Sequence, residues 1–200
     1  MEFIESEVKD TEISKNVELS TTGKILIGIT GGVALGLTIL CAPFVSPALR
    51  KFCLPYIPAT HEQVRNIFTA LQSRTGTLVD LGSGDGRIVI DAAKRGYSAH
   101  GVELNPWLVL YSTLTALKHG ETARTKFFCK DLWKFNLKPY DNVVIFGVEQ
   151  MMADLEKKIL VECRQDCTIV ACRFKLPTLV PSRTVGSGID TVWVYTLPTT

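Results

Sequence analysis

Residues 78–87 read Leu-Val-Asp-Leu-Gly-Ser-Gly-Asp-Gly-Arg, and this stretch leaves the chain little choice of fold. An apolar run of strand length, Thr77–Asp80, meets three glycines spaced two apart, and a helical run, Gly86–Lys94, follows. Each glycine answers a separate need. Gly82 permits a tight turn, Gly84 lets a ligand approach the backbone, and Gly86 lets the helix start close to the sheet. With Ser83 between the first two, they form a loop at the carboxyl end of a strand. The helix that the loop opens presents free N–H groups to a carboxylate or a phosphate.

The rest of the chain is patterned to match. Ser98–Glu103, Lys126–Cys129, Val143–Val148, Thr168–Phe174 and Thr191–Tyr195 read as strands. Pro106–Lys118 reads as a helix with proline at its first position, and Met151–Cys163 as another. Ahead of the loop, Thr60 and Gln63 have capping-box spacing, and Val64, Ile67, Phe68 and Leu71 mark one helical face. Strands alternating with helices imply right-handed βαβ units and a doubly wound α/β sheet.

A dinucleotide fingerprint would read Gly-x-Gly-x-x-Gly. Here the third glycine comes one residue early, and Arg87 holds the expected place. Asp80 precedes Gly82 by two residues. A pyrophosphate gains nothing from a carboxylate beside it, whereas a ligand with a cationic amino-acid end does. S-adenosylmethionine is such a ligand, with an ammonium, a carboxylate and a sulfonium, so the loop favours a methyltransferase over a dehydrogenase. Glu103 ends the second strand 21 residues after Gly82. There a nucleotide-binding sheet places an acid for the ribose hydroxyls. Asp131 follows the third strand, placed to accept from the adenine amino group.

Composition excludes several classes. Hydrophobic residues are 46% and charged residues 21%, so the chain is neither disordered nor fibrous. A net charge of +2 gives no electrostatic footprint for nucleic acid. The six cysteines form no C-x-x-C pair and the three histidines are scattered, which points to reduced thiols and no metal site. The apolar excess is local. Residues 1–24 carry six acids against three lysines and are expected to be a disordered polar tail. Between Lys24 and Arg50 there is no charge at all. Ile25–Val45 would span about 31 Å as a helix, the thickness of a hydrocarbon core. It is expected to be one transmembrane and targeting helix, ended or kinked by Pro43 and Pro47, with Gly28, Gly32 and Gly36 along one face. Residues 46–59 then form a linker whose Arg50-Lys51 places the following domain, 60–200, on the cytoplasmic or matrix side. No arginine precedes residue 50, which argues against a cleavable Arg-rich presequence.

Val79–Arg87, Glu103-Leu104-Asn105-Pro106-Trp107 and Asp131-Leu132-Trp133-Lys134 resemble the small membrane-anchored mitochondrial lysine methyltransferases. That family includes enzymes for the adenine nucleotide translocase and for the c subunit of ATP synthase. Pro43–Lys51, Val143–Val148 and Gln150-Met151-Met152 look like the c-subunit branch. The resemblance implies a class I, Rossmann-like methyltransferase with a mostly parallel seven-stranded sheet, preceded by one transmembrane helix in the inner mitochondrial membrane. It also implies trimethylation of a c-subunit lysine with S-adenosylmethionine, promoting assembly of that protein into ATP synthase. Asp80, Gly82, Gly84 and Glu103 match the cofactor motif, and Asp131 matches the position near adenine. Tyr56–Thr60 would cap the site, and Glu149 stands where the family leads one to expect proline. Two alternatives stay open: the translocase as acceptor, or a non-catalytic assembly factor with this fold.

Methyl transfer needs a neutral acceptor amine. A lysine of pKa about 10.4 costs about 4.6 kcal/mol to deprotonate at pH 7, and about 3.3 kcal/mol at pH 8. Aromatic walls can meet part of this by desolvation and also hold methylated ammonium groups. Phe146, Trp133 and Trp107 are the candidates, with ordinary core packing as the alternative for each. Glu149 is the one acid just past the fourth strand that could orient the amine. Amide and adenine-amine methyltransferases usually carry Asn/Asp-Pro-Pro-Tyr there, whereas this chain reads Phe146-Gly147-Val148-Glu149.

Overall fold

Helix α1, Thr21–Val45, carries one charge, Lys24 in its first turn, and its most apolar 18-residue window has a mean hydropathy of 2.2 with none of it buried. Its 25 residues rise about 37 Å. The computed structural model describes residues 20–45 and 57–197. Two threonine hydroxyls of α1 are satisfied within the helix: Thr30 and Thr38 donate to the carbonyls of Leu26 and Ala34 at 2.8 Å each. The helix starts four residues before the expected Ile25 because Ser20 caps it: the Gly23 amide donates to Ser20 Oγ at 3.1 Å. Pro43 lies inside its last turn rather than ending it. The expected tail before Ser20 and the linker at 46–56 lie outside the described residues.

The second unit is the α/β domain. Its strands are β1 (Thr77–Leu81), β2 (Ser98–Glu103), β3 (Thr125–Cys129), β4 (Asn142–Phe146), β5 (Thr168–Cys172), β6 (Arg183–Val185) and β7 (Val192–Thr196). Its helices are α2 (His61–Ala70), α3 (Arg87–Lys94), α4 (Pro106–Lys118) and α5 (Met152–Glu162). The described strands form one sheet of order β3-β2-β1-β4-β5-β7-β6. It is parallel from β3 to β5, and β7 runs antiparallel to both of its neighbours. The order reverses between β1 and β4, the switch point where such sheets bind ligands.

Both faces are buried, which is why β4 and β5 read as unbroken apolar runs. On one face Leu78, Val144 and Val170 pack with Ile67 and Leu71 around α2 and with Val89 and Ala92 of α3. On the other, Val79, Val143, Ile145 and Ile169 pack with Leu155 and Ile159 of α5. Thr60 caps α2 as expected, accepting from the Gln63 amide at 3.0 Å. The Gln63 side chain reaches out to the Ile189 carbonyl instead of back to the cap. β6 has no alternation to announce it: two of its three residues are exposed. β4 stops at Phe146, two residues before the expected Val148, and a 3-10 turn at Glu149–Met151 leads into α5. β5 likewise stops at Cys172, since Arg173 takes a positive φ of 69° and leaves the ladder.

Candidate active site

The loop after β1 is shaped by its glycines as the spacing requires. Gly82, Gly84 and Gly86 have φ of 81°, 52° and 78°, a region that favours glycine. The amides of Gly82 and Ser83 both donate to the Val102 carbonyl, at 2.8 and 3.1 Å, which ties the loop to the end of β2. A Cβ at Gly86 would sit 2.8 Å from Phe127 and Ser112, while at Gly82 there is open space. The loop is therefore packed on its inner side and open where a ligand would approach.

Glu103 closes the loop from β2. Its Oε2 accepts from the Gly84 amide at 3.0 Å, and its Oε1 from the amides of Leu104 and Asn105 at 2.7 and 2.8 Å. Asn105 then caps α4 by accepting from the Trp107 amide at 2.9 Å. Asp131 does the same for the 3-10 turn Leu132–Lys134, accepting from the Trp133 amide at 3.0 Å. The sequence-derived acids thus sit at three successive strand ends, and two of them also organise the backbone there.

Asp80 is the outlier in energy. It is 1% exposed and its Oδ1 has no hydrogen-bond partner. Burial first, then the charges of Glu103 and Asp85, push its carboxyl up to about 8. A buried acid with an unmatched oxygen is costly alone and favourable beside a cation. Ser83 Oγ and Trp107 Nε1 are also buried without partners. Three orphaned polar atoms, at the end of β1, on the loop and at the start of α4, with open space at Gly82, are what a polar cationic ligand would complete. The residues present fit S-adenosylmethionine.

Register extends the site across the sheet. Asp80 is level with Gly101 on β2 and with Val144 on β4. Two residues further on, Glu103 and Phe146 lie on the same face. Phe146 is half-buried, and the Arg173 guanidinium stands 5.2 Å from its ring centre. Trp133 packs against the α5 face, opposite the face of Phe146, so these two rings do not form one wall. Glu149 is exposed on the 3-10 turn beyond β4. Among the described residues no group of acids, histidines and cysteines could hold a metal, and no disulfide joins the cysteines.

Several residues at the site carry no motif. Gly101 is one: a Cβ there would lie 2.5 Å from Ser83 Oγ and 2.7 Å from Phe127. A glycine inside a strand pattern signals such a close approach. Ser112 is another, a buried serine in an apolar helix that donates to the Gly84 carbonyl at 3.0 Å. Arg87 grips Asp85 with two nitrogens, at 3.0 and 2.6 Å, and donates to the Ala59 carbonyl. That contact brings the segment before α2 to the loop; Tyr56 lies outside the described residues. Lys158 on α5 pairs with Glu162 at 2.6 Å and donates to the Trp133 carbonyl at 3.2 Å, bracing the turn after Asp131. Nothing in the spacing of Lys158 reveals that role.

Comparison with known proteins decides the family. A model described as ANTKMT methyltransferase domain matches residues 80–183, and one described as the N-terminal domain of the ATP synthase c-subunit lysine N-methyltransferase matches residues 19–50. The ATP synthase c-subunit lysine N-methyltransferase of Xenopus laevis is 53% identical over 88% of this chain and 77% of its own length. The chain belongs to that family of lysine N-methyltransferases. The adenine nucleotide translocase lysine N-methyltransferase of Mus musculus, a more distant member, is 39% identical over 85% of this chain and 76% of its own. Among solved structures, an RNA methyltransferase from Salinibacter ruber in complex with S-adenosyl-L-homocysteine matches with a TM-score of 0.66. It is 28% identical, covering 71% of this chain and 94% of that one. The fold is that of the class I methyltransferases, and the chain is an S-adenosylmethionine-dependent protein-lysine N-methyltransferase.

Proposed function

We propose that this enzyme trimethylates a lysine of the ATP synthase c subunit. In this reading α1 anchors it in the inner mitochondrial membrane, the catalytic domain faces the matrix, and methylation promotes incorporation of the acceptor into ATP synthase. The observation that carries the acceptor is the double match. The relatives named for the c-subunit activity are similar over both the methyltransferase domain and the N-terminal segment, at 53% identity in Xenopus laevis against 39% for the translocase enzyme. The uncharged run from Ile25 to Val45 and the basic Arg50-Lys51 beyond it support the placement. An intact glycine loop speaks against a non-catalytic assembly factor.

Bound S-adenosylmethionine supplies a methyl group on a sulfonium, already electrophilic, so the protein's task is to position and desolvate. Asp80 would offer its orphaned carboxyl to the cationic amino-acid end. Gly82, Ser83, Gly84 and Gly86 would cradle the ligand at the start of α3, Glu103 would take the ribose hydroxyls, and Asp131 the adenine edge. Phe146 would shield the acceptor from water. The Arg173 cation beside Phe146 disfavours a second positive charge there, which favours the neutral amine. Glu149 would orient that amine from the rim.

Mass spectrometry of inner-membrane proteins from cells lacking the chain tests this. The c-subunit lysine should be unmethylated and the translocase unchanged, and rescue should need both Asp80 and α1. Methyl loss on the translocase alone would move the chain to the sister activity.

A further inference from the structure

Two amide side chains on α2 are buried: Gln63 is 2% exposed and Asn66 6%. Buried amides need partners. Both find them in the 3-10 turn Gly188–Asp190, between β6 and β7. Gln63 Nε2 donates to the Ile189 carbonyl at 3.3 Å, and Asn66 Nδ2 to the Asp190 carbonyl at 3.0 Å. The Asp190 side chain adds a third bond, accepting from the Thr60 hydroxyl at 2.6 Å. That hydroxyl also accepts from the Gln63 amide to cap α2, so its one hydrogen is committed to the carboxylate. Gly186 permits the close approach. It has a φ of 82°, and a Cβ there would meet Asn66 Nδ2.

Capping α2 needs Thr60 alone. The bond to Asp190 adds a second clamp on residues 58–60. From the cofactor side, Arg87 donates to the Ala59 carbonyl while it grips Asp85 of the glycine loop. From the other side, Asp190 holds Thr60, and the next residue, Thr191, accepts from the Arg173 amide at 3.2 Å. The Arg173 guanidinium stands 5.2 Å from the Phe146 ring centre. Ala59 and Phe146 belong to the same packed face of the sheet. Two successive residues, Ala59 and Thr60, are thus bonded to the cofactor loop on one side and to the turn that holds the end of β5 on the other. Methyl transfer is an in-line displacement, and its rate is sensitive to small errors in the placement of donor and acceptor. We propose that Asp190 is a positioning residue for methyl transfer: through Thr60 it pins the 58–60 segment between the glycine loop and the end of β5, and so fixes the spacing of cofactor and acceptor. This rests on the reading that Phe146 and Arg173 border the acceptor amine.

The test uses the full chain, labelled S-adenosylmethionine and, as acceptor, membranes from cells lacking the chain. Rates are taken well below the melting temperature of each variant. Asp190→Ala should lower kcat about tenfold and leave KM for S-adenosylmethionine within about twofold of wild type. Asp190→Asn keeps an oxygen for the Thr60 hydroxyl and should restore kcat to within about threefold. A residue that serves folding alone would lower the melting temperature and leave the kcat of folded enzyme as it is, and that result overturns the proposal. So does an Asp190→Asn variant as slow as Asp190→Ala, or a loss of cofactor affinity at unchanged kcat. Should Asp190→Ala fail to fold, Thr60→Asp takes its place. It keeps a capping oxygen for α2 but sets a second carboxylate against Asp190. It should show the same fall in kcat, and a wild-type kcat overturns the proposal. Phe146→Leu, assayed on the same membranes, scores the underlying reading separately. A wild-type rate there faults Phe146 as the acceptor wall, while the kcat of Asp190→Ala still decides the clamp.

Discussion

At the ends of β1 and β2 the side chains are acids and glycines, most of them tied to backbone amides close by in sequence. At the ends of β4 and β5 they are a ring, Phe146, and a cation, Arg173, brought together by register across two strands. The first half of the sheet would hold the cofactor and the second would receive the acceptor. The contrast teaches why one half can be read from a motif and the other cannot. A loop that folds back on its own strand writes its needs into a few adjacent residues. An acceptor channel assembled from separate strands does not.

The largest effect is expected at a position that joins the loop to the sheet. Gly101→Ala would place a methyl group against Ser83 and Phe127. It should cost about 1–3 kcal/mol of stability by overpacking and abolish measurable cofactor binding. Thermal melts and calorimetry check both. If the variant binds normally, the loop is softer than its packing indicates and the first half is less specified than it looks.

Asp80→Asn comes next, and its sign depends on pH. The Asp80 carboxyl is raised from 3.8 to about 8 by burial, then by Glu103 and Asp85. Its contribution to the ligand-free fold is thus fully present below about 4 and lost as pH rises through about 8. Wild type should lose stability over that window, and Asp80→Asn should lose less, overtaking wild type at alkaline pH. Cofactor affinity should nonetheless fall about thirtyfold, from roughly 2 kcal/mol of lost charged hydrogen bonding. Melting curves across pH, paired with calorimetry, separate the two effects. Because a cationic ligand draws the carboxyl down again, binding by wild type near neutral pH should release a proton. Calorimetry in buffers of different ionisation enthalpy reads this directly.

Phe146→Leu probes the other half. It should slow methyl transfer by about tenfold, of the order of one cation–π contact, and leave cofactor affinity within twofold. A loss of cofactor binding instead would merge the two halves into one site. The smallest effect is expected for Glu149→Gln, an exposed residue on the 3-10 turn. Steady-state rates within about twofold of wild type would reduce Glu149 to a solvated rim acid, as surface changes usually are. A larger fall would give it the orienting role.

The legible parts of the fold share one property, that their signal is local. Asp80, the three glycines and Glu103 were readable because strand, turn and helix follow one another within a few residues. Helix α4 was readable from Asn105-Pro106 at its start. β6 was not, since it is three residues long, mostly exposed and defined by pairing with β7. Gly101 carried a signal, a glycine in mid-strand, whose meaning depended on Ser83 some eighteen residues earlier in the chain. Arg173 and Lys158 carried none, because their roles arise from what lies opposite them in the folded sheet.

β7 is inserted between β5 and β6, although β6 precedes it in the chain. Until residues 192–196 have been synthesised, β6 has no strand to pair with and β5 keeps a bare apolar edge. Val192, Val194 and Tyr195 are almost wholly buried, and the Tyr195 hydroxyl accepts from the Leu176 amide at 2.9 Å. Every other strand of the sheet is made before β7, so a ribosome would present them long before the domain can close. A premature stop codon anywhere before Val192 would therefore yield an unfinished sheet for quality control to clear, and not a trimmed enzyme.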